Sequence, residues 1–180
     1  MEKTLFVLVG VPASGKSYYT EKFLIPQYPG IAYISTDKYV EKFAQEQGKT
    51  YSEVFQSVMS ECVKLMTEDV IQARDDGKNI IWDQTSTSVK ARSKKLRMLR
   101  DYNKIAIVFP TPDPVEHKKR LESRPGKIIP RHVMESMIDN LVLPTFDEDF
   151  DEIWTVGNQA NVLTLYIKSR HDIVVDNTVK

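Results

Sequence analysis

Residues 5–20 read "LFVLVGVPASGKSYYT". The first five are all apolar, as in a short strand covered on both faces. Gly10-Val11-Pro12-Ala13-Ser14-Gly15-Lys16-Ser17 then fits the pattern G-x-x-x-x-G-K-[ST]. Glycines in such a loop let backbone N–H groups turn inward and close on phosphate oxygens. A helix starting at Lys16 would aim its positive end at the same anion. Lys16 can reach the β- and γ-phosphates, and the Ser17 hydroxyl can ligate Mg²⁺. Gly10, Pro12, Ala13, Ser14, Gly15, Lys16, Ser17 and Tyr18 are therefore the expected nucleotide-binding residues. The expected cofactors are ATP and Mg²⁺.

The rest of the chain extends the pattern outward. Strand-like runs at 4–9, 32–35, 79–83, 104–109 and 152–156 alternate with helix-like stretches at 16–24, 37–47, 52–76, 88–101, 113–123 and 130–141. Ser52 is the expected cap of the longest helix, with Glu53 in its first turn. Alternating β and α elements predict an α/β fold of the P-loop NTPase type: a mostly parallel five-stranded sheet with helices on both faces. One domain spans residues 1–180. Its tail, 157–180, holds two more β-like runs, "VLTLYIK" (162–168) and "DIVV" (172–175), without an assigned role.

Composition narrows the class. At 41% hydrophobic and 28% charged, without an apolar run of membrane-spanning length, the chain reads as a soluble domain that meets no membrane. Nothing at the N-terminus has a secretory layout, so the expected location is cytoplasmic. Cys62, the single cysteine, reads as a small apolar helix residue. Net charge is zero but segregated. Residues 88–131 carry 13 Lys/Arg against 4 Asp/Glu, while residues 133–152 carry seven acids and no Lys or Arg. That suits a polyanion-binding face or two solvated helices of opposite sign.

No guanine-reading N-K-x-D is present, so a kinase is the expected use of the loop. Its acceptor side should lie at strand ends, where open α/β sheets keep their chemistry. Asp37 follows the second strand and could act as general base toward a hydroxyl, or cap the helix it opens. Asp83 ends the third strand, followed by Gln84 and Thr85. It could hold Mg²⁺, orient Asp37 or contact substrate, with capping again the plainer role. Residues 117–131, "HKKRLESRPGKIIPR", read as a lid. Arg120 and Arg124 are the residues expected to fork onto the transferring phosphoryl group; Lys118, Lys119 and Lys127 should lie on the surface.

Together, the phosphate loop, the Asp37 and Asp83-x-Thr85 strand ends and the Arg120-x-x-x-Arg124 lid resemble the kinase domain of phage and bacterial polynucleotide 5′-hydroxyl kinases. The resemblance covers roughly residues 3–156. It implies transfer of the ATP γ-phosphate to a 5′-hydroxyl of RNA or DNA, with a nucleic-acid end as substrate. Lys16 and Ser17 would bind ATP and Mg²⁺, Asp37 would activate the hydroxyl, and Arg124, with Arg120 beside it, would contact phosphates. Asp83 and Thr85 fall on the family's third-strand motif and are expected to flank the acceptor, and Lys38 is the nearby cation that could join them. Two positions depart from the family: Val40 stands where it has an arginine, and Ser86 where it has an asparagine.

Two other functions fit the same ATP half: a kinase of a nucleoside or other small-molecule hydroxyl, and a non-catalytic module in which nucleotide closes the lid on a partner. The basic run "VKARSKKLRMLR" (89–100) bears on the choice, because Lys90, Arg92, Lys94 and Arg97 could follow a nucleic-acid backbone.

Overall fold

The computed structural model describes residues 2–159, 162–170 and 175–179. Five parallel strands form the centre of one sheet: β1 (Thr4–Val9), β2 (Ala32–Ser35), β3 (Ile80–Asp83), β4 (Asn103–Val108) and β5 (Glu152–Gln159). The tail adds two antiparallel strands, β6 (Val162–Ser169) and β7 (Val175–Val179), to give the order β2-β3-β1-β4-β5-β6-β7. The sheet thus exceeds the five expected strands by two. Of the run "DIVV", Val175 opens β7, and residues 172–174 lie outside the described residues.

β1 explains why its sequence does not alternate. Leu5, Val7 and Val9 enter one core with Met66, Val70 and Leu96, while Phe6 and Leu8 enter the opposite core with Tyr19, Leu24 and Trp154. Both faces are covered, so both sets of side chains are apolar. The first core lies under α4 (Tyr51–Asp75) and α5 (Val89–Met98). The second lies under α1 (Lys16–Tyr19), which runs through a π-helical stretch, Thr20–Leu24, into α2 (Ile25–Gln27). A third, smaller cluster joins α3 (Asp37–Gln47) to α4 through Val40, Ala44, Val54, Val58 and Cys62. Helix α6 (Pro114–Glu122) and α7 (Arg131–Asp139) complete the helices used below. Among the described residues no helix is long and apolar enough to cross a membrane.

The cap of helix α4 lies two residues earlier than expected. Thr50, not Ser52, is its cap: Thr50 Oγ1 accepts from Glu53 N, and the Glu53 carboxylate accepts from Thr50 N at 2.7 Å. This reciprocal box satisfies backbone donors that the first turn leaves free. Ser52, inside the helix, is released for another contact.

The basic run on α5 divides by its face. Lys90, Lys94 and Arg97 are exposed. Arg92 is fully buried and cannot meet a nucleic-acid backbone. Its guanidinium forks onto Glu148, with Nε at 2.8 Å and Nη2 at 2.7 Å, and its Nη1 donates to the carbonyls of Ser86 and Val142. The acidic run is likewise structural. Asp149 holds the Lys104 amine, Asp151 accepts from Lys104 N, and Phe150 is buried between them in sequence. Part of the charge segregation is thus cross-pairing between blocks, through Arg92–Glu148 and Lys104–Asp149.

Arg92 also tethers residues 84–88, the loop that follows Asp83. Arg92→Leu should lower the unfolding free energy by about 3–5 kcal/mol, because Glu148 would be left buried without its partner. Arg92→Lys should restore little of it, since one ammonium cannot replace the planar fork. Urea unfolding of the three proteins checks both expectations.

Candidate active site

The parallel strands deliver their C-terminal ends to one edge, where Gly10, Asp37 and Asp83 gather. β1 is the strand from which chain order departs in both directions, toward β3 on one side and β4 on the other. Such a divergence opens a crevice. Gly10 is required there sterically: a Cβ would sit 2.7 Å from Ser14 Oγ and 2.9 Å from Phe109 O. Its N–H donates to Thr85 O at 2.9 Å, so the phosphate loop is tied to the loop after β3. Gly15, at φ 103°, takes a left-handed conformation ahead of α1.

Lys16 reaches back over the loop. Its Nζ donates to the Gly10 and Val11 carbonyls, both at 2.9 Å. Burial lowers its pKa to about 8; the charge of Asp83 opposes this, Arg124 adds to it, and Asp37 again opposes it. Those four charged groups therefore share one crevice. Ser17 and Tyr18 lie in the exposed first turn of α1.

The two carboxylates occupy different environments. Asp83 is buried, and its Oδ2 accepts from the Tyr33 hydroxyl. Burial pushes its carboxyl above the ordinary range, while the Tyr33 hydrogen bond and the Lys16 charge pull the other way. No helix begins at Asp83; Ser88 caps α5, accepting from Ala91 N. Asp37 opens α3 without capping it. Its Oδ1 accepts from the Tyr51 hydroxyl at 2.8 Å, and its Oδ2 from Lys127 Nζ at 3.2 Å. Burial, then the Asp37 charge, raises the Tyr51 pKa, so the phenol remains a donor.

The lid spans the crevice. On α6, Arg120 Nη1 lies 3.8 Å from where a Gly15 Cβ would stand, and its Nε is held by Glu116 at 2.6 Å. Arg124 is close enough for Lys16 and Tyr51 to feel its charge. The far end of the lid is sewn to α4: Ser52 Oγ accepts from Ile128 N at 2.8 Å, and Ser52 N donates to Gly126 O at 3.0 Å. Lys118 and Lys119 are exposed as expected. Lys127 is not. Its amine bridges Asp37 and Glu41 and lies 4.4 Å from the centre of the Tyr51 ring.

Lys38 is not brought to the acceptor side. It pairs with Asp69 and covers the Tyr39 ring, because neighbouring helix residues face different directions. Thr85 enters through its carbonyl. Val40 is fully buried in the apolar cluster between α3 and α4. The sequence reading missed Tyr33, Ser52, Lys127 and His117; the last lies three residues before Arg120, on the lid's inner face.

For Mg²⁺, Ser17 and Asp83 would supply hard oxygen donors. Among the described residues no group of three or more His, Cys, Asp or Glu could hold a metal alone. Mg²⁺ bound with phosphates needs only one or two protein oxygens, so the donor set fits that mode.

A protein-family profile described as an AAA domain matches residues 5–144. The chain belongs to this family. It is a kinase-like, nucleotide-binding P-loop family. Within its wider kin, the chain is 28% identical over 171 residues to a protein of Acanthamoeba polyphaga mimivirus carrying an inferred assignment as a bifunctional polynucleotide phosphatase/kinase. That alignment covers 86% of this chain and 33% of the relative, so the chain spans about a third of the relative's length. Solved structures share the AAA-domain fold. One, from the PezAT toxin–antitoxin system of Streptococcus pneumoniae, superposes with a TM-score of 0.63 at 17% identity, covering 89% of this chain and 68% of that one. Another, from Chloroflexus aurantiacus with an inferred kinase assignment, gives 0.62 at 16% identity, covering 81% and 83%.

The lowered pKa of Lys16 has a measurable consequence. From about pH 8 upward the amine loses its proton, and a polyphosphate beside it would draw that proton back. Nucleotide binding should therefore take up about half a proton near pH 8 and almost none at pH 6.5–7. Calorimetric titrations in buffers of different ionisation enthalpy measure this; no uptake at pH 8 would contradict it.

Proposed function

We propose that this chain transfers the γ-phosphate of ATP to a 5′-hydroxyl of a polynucleotide. The observation that carries the reading is Asp37: a carboxylate held by Tyr51 and Lys127, within the electrostatic reach of Lys16 across the crevice. The family match supplies the nucleotide half, and the assignment of the viral relative supports the acceptor half.

The residues divide the work. Backbone N–H groups of the loop and the Lys16 ammonium hold the β- and γ-phosphates. Arg120 and Arg124, beside the loop, would stabilise charge on the γ-phosphoryl group in flight. Asp37 accepts the hydroxyl proton as the acceptor oxygen bonds to γ-phosphorus and the bond to the ADP oxygen breaks. Ser17 and Asp83 would hold Mg²⁺, which supplies neutralisation of phosphate charge. The lid, anchored through Ser52 and Lys127, keeps water from competing.

A second reading has an observation of its own. Val40 lies inside the α3–α4 core, so a phosphate-gripping arginine is absent from that position, as a small-molecule acceptor would allow.

The test is transfer of label from γ-labelled ATP to 5′-hydroxyl DNA and RNA oligonucleotides, with nucleosides in parallel. Transfer to oligonucleotides is expected. Transfer only to nucleosides supports the second reading, and tight ATP binding without transfer to any acceptor supports a binding module. Asp37→Ala should cut transfer by about 10²–10⁴ while ATP affinity changes by less than about threefold. A fully active variant would remove Asp37 from the mechanism.

A further inference from the structure

His117 is buried on the inner face of α6, with its Nε2 2.8 Å from Pro12 O. A carbonyl oxygen can only accept, so Nε2 carries the hydrogen. The loop segment it touches is a turn: Ser14 N donates to Val11 O at 3.3 Å, enclosing Pro12 and Ala13. The Pro12 ring holds its φ near −65°. Ala13 has φ 61°. Negative φ followed by positive φ defines a type II turn, whose second central position belongs to glycine or asparagine. Here it is an alanine, which disfavours that region.

The strain has an obvious release. Rotating the Pro12–Ala13 peptide by about half a turn gives a type I turn, in which Ala13 takes a negative φ. The carbonyl and N–H of one planar peptide point opposite ways. The rotation would therefore remove Pro12 O from His117 and reverse the Ala13 N–H, which the phosphate-loop motif needs facing the anion. We propose that His117 is a positioning residue for the nucleotide loop: by holding Pro12 O it keeps this peptide in the strained orientation, with its N–H toward the polyphosphate and its carbonyl away. The lid helix then shapes the loop from behind as well as closing over it. This rests on the loop binding polyphosphate and not on the identity of the acceptor.

Binding of ATP and of inorganic tripolyphosphate, each with Mg²⁺, measured by calorimetry, tests it without an acceptor. His117→Leu should weaken both about ten- to a hundredfold, as expected when a part-buried carbonyl loses its donor and turns. In the Ala13→Gly background the same substitution should cost no more than about threefold, because glycine accepts the positive φ without the imidazole. Rescue by glycine separates loop orientation from simple packing of α6. His117→Gln, which can place an N–H near the Nε2 position, should bind like wild type, whereas the shorter His117→Asn should not. That pair decides the matter if His117→Leu does not fold. Unchanged affinity in both His117→Leu and His117→Asn, or an equal loss with and without Ala13→Gly, would overturn the proposal. Failure of wild type to bind either polyphosphate would overturn the nucleotide assignment and the proposal with it.

Discussion

The structure depends on one amine enclosed by main chain. Lys16 donates to two carbonyls of its own loop, and burial drives its pKa down to about 8. Such a group is held out of water at a cost that a polyanion offsets. Everything that positions Lys16 is therefore part of the site. Gly10 admits the loop between Ser14 and Phe109, and Thr85 receives the Gly10 N–H. Arg92 ties down the loop containing Ser86, one residue beyond Thr85.

Around that centre the lid connects two regions that the chain keeps apart. Its first half lies over the phosphate loop through His117 and Arg120. Its second half is bonded to the start of α4 and to Asp37 through Gly126, Lys127 and Ile128. A rigid displacement of residues 117–131 would thus disturb the phosphate loop and Asp37 together. Lys127 holds Asp37 and Glu41 with one charge, so these two carboxylates do not repel each other unchecked.

The strands and helices were legible because local signals agreed with the fold. Continuous apolar runs marked strands covered on both faces, and the phosphate loop stood between a strand and a helix as its chemistry requires. The same logic led to Asp37 and Asp83, since strand ends in such a sheet open on the crevice. What escaped reading depends on contacts across long stretches of sequence. Lys127 and Asp37 are 90 residues apart, and His117 and Pro12 are 105 apart. No periodicity encodes such pairs. Charge counting misled for the same reason: Arg92 looked like a surface cation until Glu148, 56 residues away, came to meet it. Lys38 failed on helix geometry, which turns each residue by about 100° from the last and sent its amine to Asp69.

A crystal structure with a non-hydrolysable ATP analogue and a 5′-hydroxyl oligonucleotide would test the central claim most directly. The account requires the β- and γ-phosphates among the N–H groups before Lys16, with the terminal hydroxyl between γ-phosphorus and Asp37. An analogue bound away from that loop, or an Asp37 carboxylate turned from the γ-phosphate, would contradict it.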